Sequence, residues 1–186
     1  MNGLKVTLAA ATVALVSAGG LQAATIDLVA ATNDGTTLVA PEATITAEMG
    51  STLFVGDFTP NSVCPLGGSG CNGAMTLTFG FDVNNLMFDY GFGNPGDSAS
   101  LSFFDGLGAL LALFSLNSDA GLVFADLSAV GTFRSVLFDN TASTGAGYAY
   151  GNISYDVAAV VPLPAAGWLL FAGLGGLAAM RRRKQV

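Results

Sequence analysis

From Ala165 to Met180 sixteen consecutive residues carry no charge, and Arg181, Arg182, Arg183 and Lys184 follow at once. A run this apolar, ended this abruptly by charge, suits lipid better than the surface of a globular fold. As a helix rising 1.5 Å per residue it would be roughly 24 Å long, against a hydrocarbon core of about 30 Å. Starting at Leu163 and letting the basic side chains snorkel makes up most of the deficit. Pro162 and Pro164 fit a helix entrance, where the missing amide hydrogens would have no intrahelical partner anyway. The sequence therefore predicts a transmembrane helix over about 163–180, with Arg181, Arg182, Arg183 and Lys184 as the stop-transfer cluster.

The other end has the anatomy of a secretory leader. Lys5 is followed by an apolar stretch over 6–18, and Leu21-Gln22-Ala23 offers a small residue for cleavage, so 1–23 reads as a signal peptide. A retained N-terminal anchor is the alternative, but a 13-residue apolar core is short for a permanent span. Charge supports the same topology. All 13 acidic residues lie between Asp27 and Asp156, and that segment holds one base, Arg134, for a net charge of −12. The other five bases flank the two apolar segments on the side expected to stay in the cytoplasm. A surface this acidic repels nucleic acid and anionic lipid. Nucleic-acid binding is excluded.

Val161-Pro162-Leu163-Pro164-Ala165, then Gly167-Trp168, an apolar segment and an Arg cluster, resemble the PEP-CTERM class of bacterial sorting tails, in the variant named for its VPLPA motif. The resemblance covers about the last 26 residues, and the order of its parts is specific. It implies an exported protein held in the inner membrane until an exosortase-like enzyme processes it near Val161, Pro162, Leu163, Pro164 and Ala165. It also implies delivery to the cell surface or the extracellular medium, and an association with exopolysaccharide in a biofilm matrix. The competing reading is a plain membrane anchor that no enzyme cuts.

Between the two ends, 24–156 is long enough for one domain with a sizeable core. Phe, Val, Thr and Leu are common there, Gly marks the joints, and Lys is absent. Apolar and polar residues alternate at 25–29, 43–47 and 52–58, and most clearly in Met75-Thr76-Leu77-Thr78-Phe79-Gly80-Phe81. Further runs lie at 86–92, 101–104, 110–114, 122–125, 133–138 and 148–155. Segment 106–114 lacks a period of two and competes as a short helix, but the run 110–114 is assigned here as strand. Asn33-Asp34-Gly35, Asn84-Asn85, Gly93-Asn94-Pro95-Gly96-Asp97, Asp105-Gly106, Asn117-Ser118-Asp119 and Asp139-Asn140 read as turns. The expected fold is all-β, an antiparallel β-sandwich or jelly-roll-like ectodomain, with the tail occupying 157–186.

Cys64 and Cys71 enclose six residues, three of them Gly, and a structural disulfide is the expectation in an exported chain with two cysteines. Histidine is absent altogether, which removes Ser-His-Asp and Cys-His catalysis and His-ligated metals. The lack of lysine in 24–156 removes a Ser-Lys pair. A carboxylate pair could still hydrolyse glycosides, but acids beside Gly and Asn read more simply as solvated turns. Calcium is a candidate ligand, with Asn94, Asp97, Asp119, Asp139 and Asn140 as oxygen donors, although no Asp-x-Asp-x-Asp-Gly loop occurs. The aromatic residues read mainly as core, with Tyr148, Tyr150 and Tyr155 the ones expected to show a polar edge at the surface.

Two functions of different class follow. One is a non-catalytic exported surface or matrix protein, processed at its tail. The other is a permanently anchored periplasmic module that binds carbohydrate or calcium.

Overall fold

The computed structural model describes residues 23–56, 61–68, 70–117, 121–143 and 146–158. Residues 1–22 of the expected signal peptide, the expected sorting motif at 161–165, the apolar segment and the basic cluster lie outside the described residues. Among the described residues no helix is long and apolar enough to cross a membrane. The strands are β1 (Ala24–Thr25), β2 (Thr32–Asn33), β3 (Thr37–Val39), β4 (Ala43–Glu48), β5 (Thr52–Gly56), β6 (Ser62–Leu66), β7 (Ala74–Gly91), β8 (Ser98–Phe104), β9 (Leu110–Asn117), β10 (Leu122–Asp126), β11 (Phe133–Asp139) and β12 (Ala149–Val157). Every pairing between them is antiparallel.

One strand serves two layers. The first half of β7 lies between β4 and β11 in a layer ordered β2-β3-β4-β7-β11-β8-β9. Its second half lies between β10 and β12, and beyond β12 come β1, β6 and then β5. The crossing point is legible in burial. Met75, Leu77, Phe79 and Val83 are buried at odd positions, then Leu86, Phe88 and Tyr90 at even ones. That change of parity needs one extra residue, and Asn85 supplies it at φ 51°. Asparagine tolerates this left-handed conformation better than other side chains with a Cβ. Asn84-Asn85 is thus a bulge within a continuous strand, not the turn expected from sequence.

The core lies between the layers and is aromatic. Phe138 of the first layer meets Phe88 at 5.4 Å and Tyr150 at 4.6 Å, both from the second. Phe79 packs on Tyr155 at 4.6 Å. Burying each such ring contributes about 2–3 kcal/mol, with edge-to-face geometry adding a little more. This is a β-sandwich.

Three local departures from the sequence reading have physical causes. The run 25–29 keeps its buried Ile26 and Leu28, but regular pairing stops at Thr25. The side chain of Asn61 replaces a strand partner there, accepting from Leu28 N and donating to Ile26 O, both at 2.6 Å. Strand β6 runs through Cys64 and Pro65, a residue that argues against strands. Proline is tolerated because β12 pairs only with Ser62 and Val63, leaving Pro65 with a neighbour on one side. Tyr148, Tyr150 and Tyr155 are not at the surface, being 0%, 0% and 1% exposed.

Tyr148 and Tyr150 belong to a buried polar network instead, while Tyr155 packs against Phe79 and Phe81. Asn140 donates through Nδ2 to Cys71 O at 2.6 Å and Tyr148 O at 2.8 Å, and its Oδ1 accepts from the Tyr150 hydroxyl. The Tyr148 hydroxyl donates to Asp97 O at 2.8 Å. The Cys64–Cys71 disulfide forms and packs with Ala149 on the outer side of the second layer. Closing a ring of about eight residues stabilises by roughly 2.5 kcal/mol. Gly147 makes the seam possible, because a Cβ there would lie 2.2 Å from Cys71 O at a φ of +66°.

Burial pushes the Tyr150 hydroxyl well above the usual phenol range. Burial also raises Tyr90, with a smaller push from Tyr148, and raises Tyr155, with a smaller push from Glu42. The folded state therefore holds these protons more tightly than the unfolded chain. Their stabilising contribution is complete below the unfolded value of about 10 and is lost as pH rises through the folded values. Denaturant melts across alkaline pH should show a plateau to about pH 9.5 and a steep loss above it. A steady decline that begins near pH 8 would contradict this.

Candidate ligand-binding face

Strand alternation decides which side chains leave the first layer on its solvent side. Opposite the buried Ala43 and Ile45 stand Thr44 and Thr46, and opposite Met75, Leu77 and Phe79 stand Thr76 and Thr78. Ser135 and Leu137 back onto Val136 and Phe138, and Ser100, Ser102 and Phe104 back onto Ala99, Leu101 and Phe103.

Strand register assembles these into rows. Val39, Thr44, Thr78, Ser135, Phe104 and Leu110 are successive cross-strand partners over six strands. Thr37, Thr46, Thr76, Leu137, Ser102 and Leu113 form the next row. Neighbouring strands are about 4.8 Å apart and same-face residues along a strand about 6.7 Å apart. The result is a grid of hydroxyl groups, each able to donate and accept.

The first row opens into a cleft of about 300 Å³ lined by Val39, Pro41, Glu42, Thr44, Thr78 and Gly80, with Phe79 behind. Arg134 is tied to Gly80, one of the lining residues. Its Nε donates to Asp82 Oδ1 at 2.8 Å, and its NH1 donates to Gly80 O at 3.3 Å. The one base of the domain is therefore neutralised, and Glu42 remains as the charged group lining the cleft. Across the middle of the grid, charge is absent. Glu48 at its far end accepts from the Thr76 hydroxyl at 2.9 Å.

Among the described residues the calcium donors expected from the sequence do not converge on a shared site. Asp97 Oδ2 accepts from Asn94 N at 2.7 Å and from Gly147 N at 3.0 Å. Asp139 Oδ1 takes the amide of Thr141 at 2.9 Å, as well as its hydroxyl. Asn140 turns its amide nitrogen, a donor, toward two carbonyls. Asp119 lies outside the described residues. Among the described residues no three acidic or thiol side chains converge as a metal site. The hydroxyl grid is not legible in the sequence because Thr44, Thr78 and Ser135, neighbours in one row, come from strands far apart along the chain.

No protein-family model and no curated protein matches the sequence. Among solved structures, the chain is similar to a mutant of a family 29 carbohydrate binding module at 13% identity and a TM-score of 0.41, covering 73% of this chain and 92% of that one. A second mutant of such a module, made to probe its ligand recognition, matches at 14% identity and 0.38, over 73% and 85%. An arabinose-bound α-L-arabinofuranosidase matches at 15% identity and 0.40, over 75% of this chain and 27% of the enzyme. At these TM-scores the likenesses carry no argument about ligand or mechanism.

Proposed function

We propose that this chain is a non-catalytic, exported β-sandwich module that binds a neutral polysaccharide on the outer face of its first layer. The observation that carries the reading is the grid of Thr44, Thr46, Thr76, Thr78, Ser102 and Ser135, which ends in the Glu42 cleft. A polyhydroxylated chain lying across it would exchange hydrogen bonds with several hydroxyls at once. Phe104, beside Ser135, would offer an apolar surface to a sugar ring. The net charge of −12 on 24–156 disfavours uronic-acid or sulfated polymers, so the ligand class is neutral.

In the same reading, the C-terminal tail delivers the module. Its apolar segment holds the chain in the inner membrane with the acidic domain on the outer side, until an exosortase-like enzyme processes it at Val161, Pro162, Leu163, Pro164 and Ala165. The mass of the mature C-terminus tests this part: loss of the Arg cluster supports processing, and an intact Val186 supports a permanent anchor.

The binding part is tested by removing hydroxyls without changing shape. Thr44→Val, Thr78→Val and Ser135→Ala together should weaken retention by soluble glucan, mannan or xylan in affinity electrophoresis. At about 1 kcal/mol per lost hydrogen bond, the combined effect is roughly 100-fold. Valine suits a strand as well as threonine does, so the melting temperature should hold. Unchanged retention would contradict the proposed face.

A further inference from the structure

We propose that the open edge of β9 pairs, antiparallel, with β9 of a second copy of this chain. β9 is the last strand of the first layer, and among the described residues its outer edge has no strand partner. Proteins blunt such edges with proline, lysine, inward charge or a very short strand. None of these devices is present: Leu110–Asn117 is eight residues long, without proline or charge. Its one register shift against β8 falls at Phe103/Phe104, near the connecting turn, and leaves Ala112–Asn117 in unbroken register.

The flank around this edge is apolar and exposed. Leu107 is 95% exposed, Leu113 65% and Leu110 54%. Residues 118–120 connect β9 to β10, the open edge of the second layer, which shows Phe124 at 62% exposure. Strands β8 and β9 and residues 121–125 carry no charged side chain, and Asp97, Asp105, Asp119 and Asp126 border them.

The self-complementary edge names a second copy as the occupant, and charge decides where two copies can meet. With thirteen acids and one base, two copies of 24–156 repel wherever their acidic faces meet, and the uncharged flank is where they can approach. A strand pairing antiparallel with itself is also self-complementary about a two-fold axis, which closes the assembly as a dimer. The opposite edge of the layer, β2, is two residues long and offers no template for growth.

Sedimentation velocity of the full chain in detergent should show a dimer that tightens with added salt, since screening relieves acidic repulsion. Leu111→Lys with Leu113→Lys should raise the dissociation constant at least about 100-fold, because like charges would face one another across the axis. A chain that stays monomeric, or a dimer untouched by the lysines, would overturn the proposal. Should the lysine variant fail to fold, Leu113→Cys decides. A short bis-maleimide should link Leu113→Cys chains into dimers and leave Thr44→Cys chains unlinked; equal linking of both, or of neither, overturns it. Polysaccharide retention is read separately, so failure of one proposal does not touch the other.

Discussion

Replacing Asn140 with alanine should lower the unfolding free energy by about 3–5 kcal/mol and the melting temperature by roughly 10–15 °C. The side chain is fully buried and serves three partners at once: Cys71 O, Tyr148 O and the Tyr150 hydroxyl. Alanine abandons all three in a place water does not reach, and each stranded group costs about 1–3 kcal/mol. Asn140→Asp should be at least as damaging despite its matching shape, because a carboxylate would then face two carbonyl oxygens. Urea denaturation monitored by tyrosine fluorescence and far-UV circular dichroism measures both. A loss below about 1 kcal/mol for either variant would show that the network does not hold the disulfide loop to the sheet.

Phe88→Ala should cost a similar amount, about 3–5 kcal/mol, by a different route. Phe88 is fully buried in the second half of β7. It meets Phe138 at 5.4 Å, Tyr150 at 5.8 Å and Tyr90 at 6.3 Å, all edge-on. It thus bridges the half of β7 that belongs to one layer and β11 of the other. Truncation leaves a cavity between sheets whose backbones are fixed by hydrogen bonds and cannot collapse to fill it. Val29→Ala, at a residue 73% exposed, should change stability by less than about 0.5 kcal/mol. If the two variants melted alike, the interlayer core described above would be wrong.

Much of the fold is legible in the sequence because most strands have one wet and one dry face. Met75-Thr76-Leu77-Thr78-Phe79 alternates cleanly since β7 there has core behind it and solvent in front. Segment 110–114 does not alternate, and the structure supplies the reason: Leu111 and Leu113 are apolar on the exposed side of β9. The sequence signal was ambiguous because the strand itself breaks the burial rule, and the edge inference above rests on the same anomaly.

Other features were hidden for equally local reasons. Two adjacent asparagines signal a turn by composition, yet the left-handed residue that ends many strands can also bulge one and let it continue. Tyr148 and Tyr150 read as surface residues because their hydroxyls need partners, and those partners come from Asp97 and Asn140, which themselves read as calcium donors. The candidate site was visible only in fragments. Each strand shows its Thr or Ser, but the row that runs Thr44, Thr78, Ser135 exists only after β4, β7 and β11 are placed side by side.

In the proposed function, a hydroxyl face with no charge across its middle, on an acidic domain, selects neutral polysaccharide. Binding of the full chain to matched neutral and uronic-acid-containing polymers, compared at low ionic strength, tests it most directly. Neutral polymers should retain the chain and the acidic ones should not. Retention by the acidic polymers alone, or by no polymer in either set, would contradict it.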